Sequence, residues 1–224
     1  MNFRLPHCLL FDLDGTILDS LPGIEHSVRA AFQSCGLPIR KPRLRGLIGP
    51  PIRTILSMVG DIADCSVLDQ LERAFRVSYD SSGWQKTVCF ADANVVLKMM
   101  RLYGYRLFVV SNKPRHVSLR ILEAQKLLDL FEVILTSDTR NPRFRGKDEM
   151  IRQLMAQNKL NADSCLLIGD TMEDALAAAT AGIGFAYMTH GYGVITEPHA
   201  VPVAFKLDGF RQFLPLVTEE PIVD

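Results

Sequence analysis

Long hydrophobic runs are missing from this chain. No apolar stretch approaches the length of about 18 residues that a membrane-spanning helix requires, and the opening from Met1 to His7 is too short for the apolar region of a signal peptide. A cytoplasmic protein without a membrane partner is expected. An excess of either charge is missing too: 25 basic residues stand against 25 acidic ones. No global field therefore favours nucleic acid or an anionic surface, and the expected partner is a small molecule recognised locally. Cysteine is sparse, and Cys8, Cys35, Cys65, Cys89 and Cys165 form no Cys-x-x-Cys pair; they read as buried, reduced thiols. His7, His26, His116, His190 and His199 show no ligand spacing either, so no zinc is expected. Internal repeats and low-complexity tracts are absent.

What is present is an alternation of short apolar runs with helical periodicity. The runs lie at 8–12, 106–111, 132–137, 165–169 and 182–188, and the spacing predicts helices over 92–103, 115–128, 148–159 and 172–181, the second opened by Pro114. Such alternation implies an α/β fold: a Rossmann-like parallel sheet with helices on both faces. From about residue 20 to 86 the pattern is helical or irregular, with no convincing buried strand. An insertion after the first strand would sit above the carboxyl ends of the sheet, where open α/β folds bind ligands. The expected domains are a core of residues 1–18 and 87–224 and a small helical cap of residues 19–86.

Polar signals gather at the ends of the predicted strands. Asp12 and Asp14 follow the first run, and alternation points them the same way. Two like charges that close repel unless a cation or a shared proton relieves them. A turn at Asp14-Gly15 with Thr16 capping a helix is the competing reading. Ser111, Asn112, Lys113 and Pro114 follow the second run, offering a hydroxyl, an amide and a helix amino end to an anion. Asp170 follows the fourth run, and Asp174, four residues on, can face the same way. A basic loop from Arg143 to Lys147 lies between these signals.

In this order and spacing the four signals resemble the haloacid dehalogenase-like hydrolase superfamily, in its phosphoglycolate phosphatase-like branch, over essentially the whole chain. Asp12 to Thr16 match its first motif, Asp-x-Asp-Gly-Thr, extended by Asp19 and Ser20. Ser111 matches the second motif, Lys147 the third, and Gly169, Asp170 and Asp174 the fourth. The segment from Gly49 to Arg53 looks like the family's substrate-specificity loop, and the turn from His190 to Gly193 is similar to the phosphoglycolate phosphatase group. One departure stands out: Asp148 and Glu149 follow Lys147 where the branch commonly reads Lys-Pro-x-Pro, leaving Arg143 or Arg145 as alternative sources of the charge.

The resemblance implies a phosphatase acting on a small, phosphoglycolate-like phosphomonoester through an aspartyl phosphate. Asp12 is then the nucleophile, and an ordinary aspartate pKa of about 3.9 leaves it ionised at neutral pH. Asp14 is the acid and base for the leaving alcohol and the incoming water. Mg²⁺ is the implied cofactor, held by Asp12, Asp14 through its carbonyl, Asp170 and Asp174, the last directly or through water. Lys147 and Ser111 meet the phosphate, with Thr16, Asn112 and Arg53 among the substrate-binding residues; Arg43 and Arg45 are further candidates to grip a second anionic group. Two alternatives stand beside it: a phosphoglucomutase-type isomerase, for which His26 is the one cap histidine available, and a non-catalytic regulatory protein retaining the fold. Either a monomer or a homodimer suits the sequence.

Overall fold

A computed structural model describes residues 5–195 and 202–217. In chain order the elements are β1 (Cys8–Phe11), β2 (Leu18–Asp19), α1 (Leu21–Ser34), α2 (Ile52–Gly60), α3 (Cys65–Ser81), β3 (Val88–Cys89), α4 (Ala93–Leu102), β4 (Arg106–Ser111), α5 (Arg115–Ala124), β5 (Val133–Thr136), α6 (Lys147–Asn158), β6 (Cys165–Gly169), α7 (Met172–Ala181), β7 (Gly184–Met188), β8 (Phe205–Leu207) and α8 (Leu214–Val217). Six strands form one parallel sheet in the order β5-β4-β1-β6-β7-β8. The chain winds outward from β1 through β4 to β5 on one side and from β6 to β8 on the other, so β1 and its neighbours flank a switch point, where such sheets bind ligands.

Both faces of the sheet are covered, as the continuous apolar character of β1 requires. Its alternate residues divide between two cores: Leu9 and Phe11 pack with Val96, Leu97, Ile121 and Phe213, whereas Cys8 and Leu10 pack with Met150, Leu154 and Ala178. Each pairs in register with both neighbours, Leu10 facing Phe108 and Leu167.

Between β1 and α4 the inserted segment is helical, with α1 packed on α3. Asp64 caps α3, its carboxylate accepting from the Ser66 and Val67 amides at 2.8 and 3.3 Å. The chain enters and leaves this segment through a two-stranded antiparallel ribbon, Leu18 opposite Cys89 and Asp19 opposite Val88. Two-residue strands carry no periodicity, and none was expected here. The predicted helix over 115–128 ends at Ala124, because the chain turns at Lys126, with φ 57°, and bonds the Leu127 amide to the Leu122 carbonyl. Gly182, with φ 77°, likewise ends α7 and delays β7 to Gly184. β8 had no sequence signal. All five cysteines are free, but Cys65 is exposed at the start of α3 rather than buried. His199 lies outside the described residues. Among those described, no helix is long and apolar enough to cross a membrane.

Candidate active site

Four expected residues converge at the carboxyl ends of β1 and β6. Asp12 leaves β1 with its amide bonded to the Ile168 carbonyl of β6 at 3.0 Å. Asp170 leaves β6 and is fully buried, and Asp174 is buried in the first turn of α7. Oxygen atoms of these three carboxylates lie within 4.8 Å of one another. Lys147, the first residue of α6 and 2% exposed, sets its Nζ 2.9 Å from Asp12 Oδ1 and 2.5 Å from Asp174 Oδ1. Arg143 and Arg145 are exposed, so the lysine is the cation beside Asp12.

The charge in this cluster is incompletely balanced. Burial pushes the Asp12 carboxyl up to about 7; Lys147 opposes this, and Asp174, Asp170 and Asp14 add to it. Burial thus works against the ionised form expected of a nucleophile, and a cation at the cluster would favour it. Burial, then Asp174, raises Asp170 to about 6. For Lys147 burial acts downward, but Asp12 and Asp174 carry the ammonium above its ordinary range. Three buried carboxylates against one ammonium, all offering hard oxygen donors, fit a divalent cation such as Mg²⁺. The Asp14 carboxylate does not join them.

Each carboxylate is aimed by its surroundings. Asp170 Oδ2 accepts from the Tyr192 and Gly193 amides at 2.7 and 3.3 Å, and Oδ1 from Thr16 Oγ1 at 3.2 Å. Thr16 is thus corrected from a substrate contact to a fully buried support for Asp170. Gly15 and Gly191 allow this packing: a Cβ at Gly15, where φ is 85°, would meet Asp170 Oδ2 at 2.3 Å, and one at Gly191 would meet the Asp170 Cβ at 2.2 Å. Asp174 Oδ2 accepts from Thr171 Oγ1 at 2.6 Å and from its amide at 3.0 Å, closing a capping box on α7.

Asp14 faces a lysine to which the sequence reading gave no role. Lys113, 7% exposed, donates to Asp14 Oδ1 at 2.9 Å, to its Oδ2 at 3.2 Å, and to the Tyr79 hydroxyl of α3 at 2.8 Å. Burial acts downward on this ammonium, but Asp14 and Tyr79 hold it above its ordinary range. Lys113 lies inside the stretch already singled out, where a lysine before a proline reads as a loop charge. Tyr79 reads as core, four residues after Phe75. Tyr192 was equally unforeseen: its hydroxyl accepts from the Ser20 and Leu21 amides at 2.7 and 3.0 Å and donates to Asp19 at 2.8 Å, tying the start of α1 to the turn around Asp170.

A cavity of about 290 Å³ opens between this centre and the helical segment, lined by Asp12, Asp14, Ser111, Asn112 and Lys113 below and by residues of 24–79 above. Ser111 is buried, its Oγ accepting from the Lys113 amide at 3.3 Å. Asn112 donates to Glu173 at 2.7 Å and to the Gly49 carbonyl at 3.3 Å. Arg53 lines the cavity, but its guanidinium is held by Asp69 at 2.5 Å and by the Cys65 carbonyl at 3.1 Å. Arg45 donates to the His190 and Gly191 carbonyls, both at 2.7 Å, and Arg43 is exposed outside the lining. His26, which the isomerase alternative requires, is exposed and does not line the cavity. Trp84 packs under Arg120, whose guanidinium lies 4.3 Å from the ring centroid.

Comparison with known proteins agrees with this geometry. The family model of haloacid dehalogenase-like hydrolases matches residues 9–188, and the chain belongs to that family. Within it the chain falls in the phosphoglycolate phosphatase-like branch, whose members are phosphoric monoester hydrolases. It is 30% identical over 189 residues to a phosphoglycolate phosphatase of Cereibacter sphaeroides, covering 82% of this chain and 85% of the relative. It is also 30% identical over 217 residues to the tyrosine-protein kinase PtkA of Mycobacterium tuberculosis, covering 93% and 72%. A haloacid dehalogenase-like hydrolase from Streptococcus pneumoniae shares the fold with a TM-score of 0.83 at 22% identity, covering 94% of this chain and 97% of that one.

Proposed function

We propose that this chain is a Mg²⁺-dependent phosphatase that hydrolyses a small phosphomonoester through a phosphorylated Asp12, with residues 19–86 acting as a cap over a core of 1–18 and 87–224. The observation that carries the reading is Asp12 at the tip of β1, buried beside Lys147 and within 4.8 Å of two further carboxylates. Asp12, Asp170 and Asp174 would hold the metal, with Asp14 contributing its backbone carbonyl; bound there, the cation offsets charge on the transferring phosphoryl group. The Asp12 carboxylate attacks phosphorus, the bond from phosphorus to the ester oxygen breaks, and the leaving alcohol takes a proton from Asp14. Water then attacks the same phosphorus and gives a proton to Asp14, while the bond to Asp12 breaks and frees inorganic phosphate. Lys147 balances the nucleophile and the phosphate oxygens, and Ser111 hydrogen-bonds the phosphoryl group. Asp14 is paired with Lys113, so it serves as the acid only once that pair has opened and its carboxylate has taken a proton from solvent; the attacking water later restores that proton.

Phosphoglycolate enters through the motifs and through the names of relatives. The test is phosphate release from a panel of phosphorylated metabolites with Mg²⁺, wild type beside Asp12→Asn. Release that disappears in Asp12→Asn supports the reading; release that persists overturns Asp12 as nucleophile, and no release from any ester overturns the phosphatase.

A further inference from the structure

The cavity wall opposite the catalytic aspartates is built of Ile24, Ile48, Ile52, Ile55, Phe75 and Tyr79. Phe75 and Tyr79 stack with ring centroids 5.2 Å apart and planes 13° from parallel, and the Tyr79 hydroxyl is already engaged with Lys113. The cations on this wall are paired. Arg53 lies 2.5 Å from Asp69 and 3.6 Å from Glu72, and Arg76 lies 3.6 Å from Glu72. Glu72 itself faces the cavity. A substrate carboxylate placed here meets apolar carbon, a glutamate and two arginines already engaged by Asp69 and Glu72, and burying it in competition with those pairs is costly. Two further cations line the cavity: Lys113, held by Asp14 and Tyr79, and Arg143, exposed on the loop after β5.

We infer that the alcohol half of the substrate is apolar and ring-sized: a phosphate ester of an aromatic or branched aliphatic alcohol, not of a hydroxy acid. Volume agrees, because an apolar cavity of about 150 Å³ holds a benzene ring, and about 290 Å³ leaves room for a phosphoryl group beside it. Hydrocarbon in this space leaves water and meets the preformed stack, and each buried methylene is worth about a four-fold gain in kcat/KM at about 0.8 kcal/mol. This inference rests on the phosphatase reading and narrows its substrate.

The experiment compares kcat/KM for methyl, isobutyl and benzyl phosphate and for phosphoglycolate, all esters of alkyl alcohols, with Mg²⁺. Specificity is expected to climb from methyl to benzyl, with benzyl phosphate on the order of 10-fold or more above phosphoglycolate. In Ile52→Ala, a half-buried position that the fold tolerates more readily than Phe75, the ratio of benzyl to methyl falls. Calorimetric Kd values for benzylphosphonate and phosphonoacetate, measured on the same protein with Mg²⁺, separate the two levels of the argument. If no ester is hydrolysed, the phosphatase reading fails by itself, and tighter binding of benzylphosphonate still supports the apolar chamber. Phosphonoacetate binding as tightly as benzylphosphonate, or phosphoglycolate turned over as fast as benzyl phosphate, overturns it.

Discussion

Replacing Asp170 by asparagine should stabilise the metal-free protein while destroying its activity. Asp170 is fully buried beside Asp174, and burial, then Asp174, lifts its carboxyl from 3.8 to about 6. That difference corresponds to about 3 kcal/mol of unfavourable interaction carried by the ionised form. For an acid whose folded pKa lies above its unfolded value, the penalty is absent below the unfolded value. It grows as pH rises through the window from 3.8 to about 6 and is complete above it. Asparagine carries no such charge, and its carbonyl can still accept from the Tyr192 amide, although its bonds to the backbone are weaker than a carboxylate's. Allowing about 1–2 kcal/mol for that loss, Asp170→Asn should exceed wild type by about 1–2 kcal/mol at pH 8 in EDTA. At about 2–4 °C per kcal/mol for a chain of this size, the gain should appear as a rise of several degrees in Tm. With that allowance it should be gone near pH 5 and give way to a small deficit below pH 4, where the penalty on the wild type is absent. Saturating Mg²⁺ should invert the order, since only wild type gains binding energy, about 2.7 kcal/mol at a concentration 100 times Kd. Thermal unfolding at the two pH values, with EDTA and with Mg²⁺, reads all four conditions; an Asp170→Asn protein no more stable than wild type at pH 8 in EDTA would refute the electrostatic account.

The other predictions concern groups around the same centre. Lys147→Met strands buried carboxylates without their cation, so it should cost about 3–5 kcal/mol in urea unfolding and abolish phosphate release. Lys113→Met removes the cation that anchors the Asp14 carboxylate through both its oxygens, and the lost positioning should lower kcat on the order of 10²-fold with a displaced pH profile, whereas Tyr79→Phe, which removes one of the ammonium's partners, should lower kcat by about 10-fold or less. Unchanged pH profiles in Lys113→Met would show that the pair does not act in proton transfer. Tyr192→Phe leaves the Ser20 and Leu21 amides without their hydroxyl acceptor and should cost about 1–3 kcal/mol in denaturant melts, while binding of Mg²⁺, held by carboxylates on other elements, should change less than stability does.

Much of the fold and the centre was legible in the chain itself. Apolar runs at 8–12, 106–111 and 165–169 are buried strands because two-sided burial leaves a continuous apolar signature, and carboxylates straight after such runs stand at strand ends by connectivity alone. That Asp12 meets Asp170 and Asp174 was implied by the family resemblance of their order and spacing, whereas the runs themselves do not carry the strand order that sets β1 beside β6. The sequence by itself determined these periodicities, the motif order and the family. Tertiary structure decided what depends on contacts across long separations in the chain: that Lys147, not Arg143 or Arg145, stands beside Asp12; that Lys113 joins Asp14 to Tyr79 across 99 and 34 residues; that Thr16 and the turn at Tyr192 serve Asp170; and that Arg53 and Arg45 are already paired. Periodicity reports which face of an element is buried, but the partner of a charged or hydroxyl side chain is set by packing among elements distant in sequence, and burial then fixes how strongly each charge is felt.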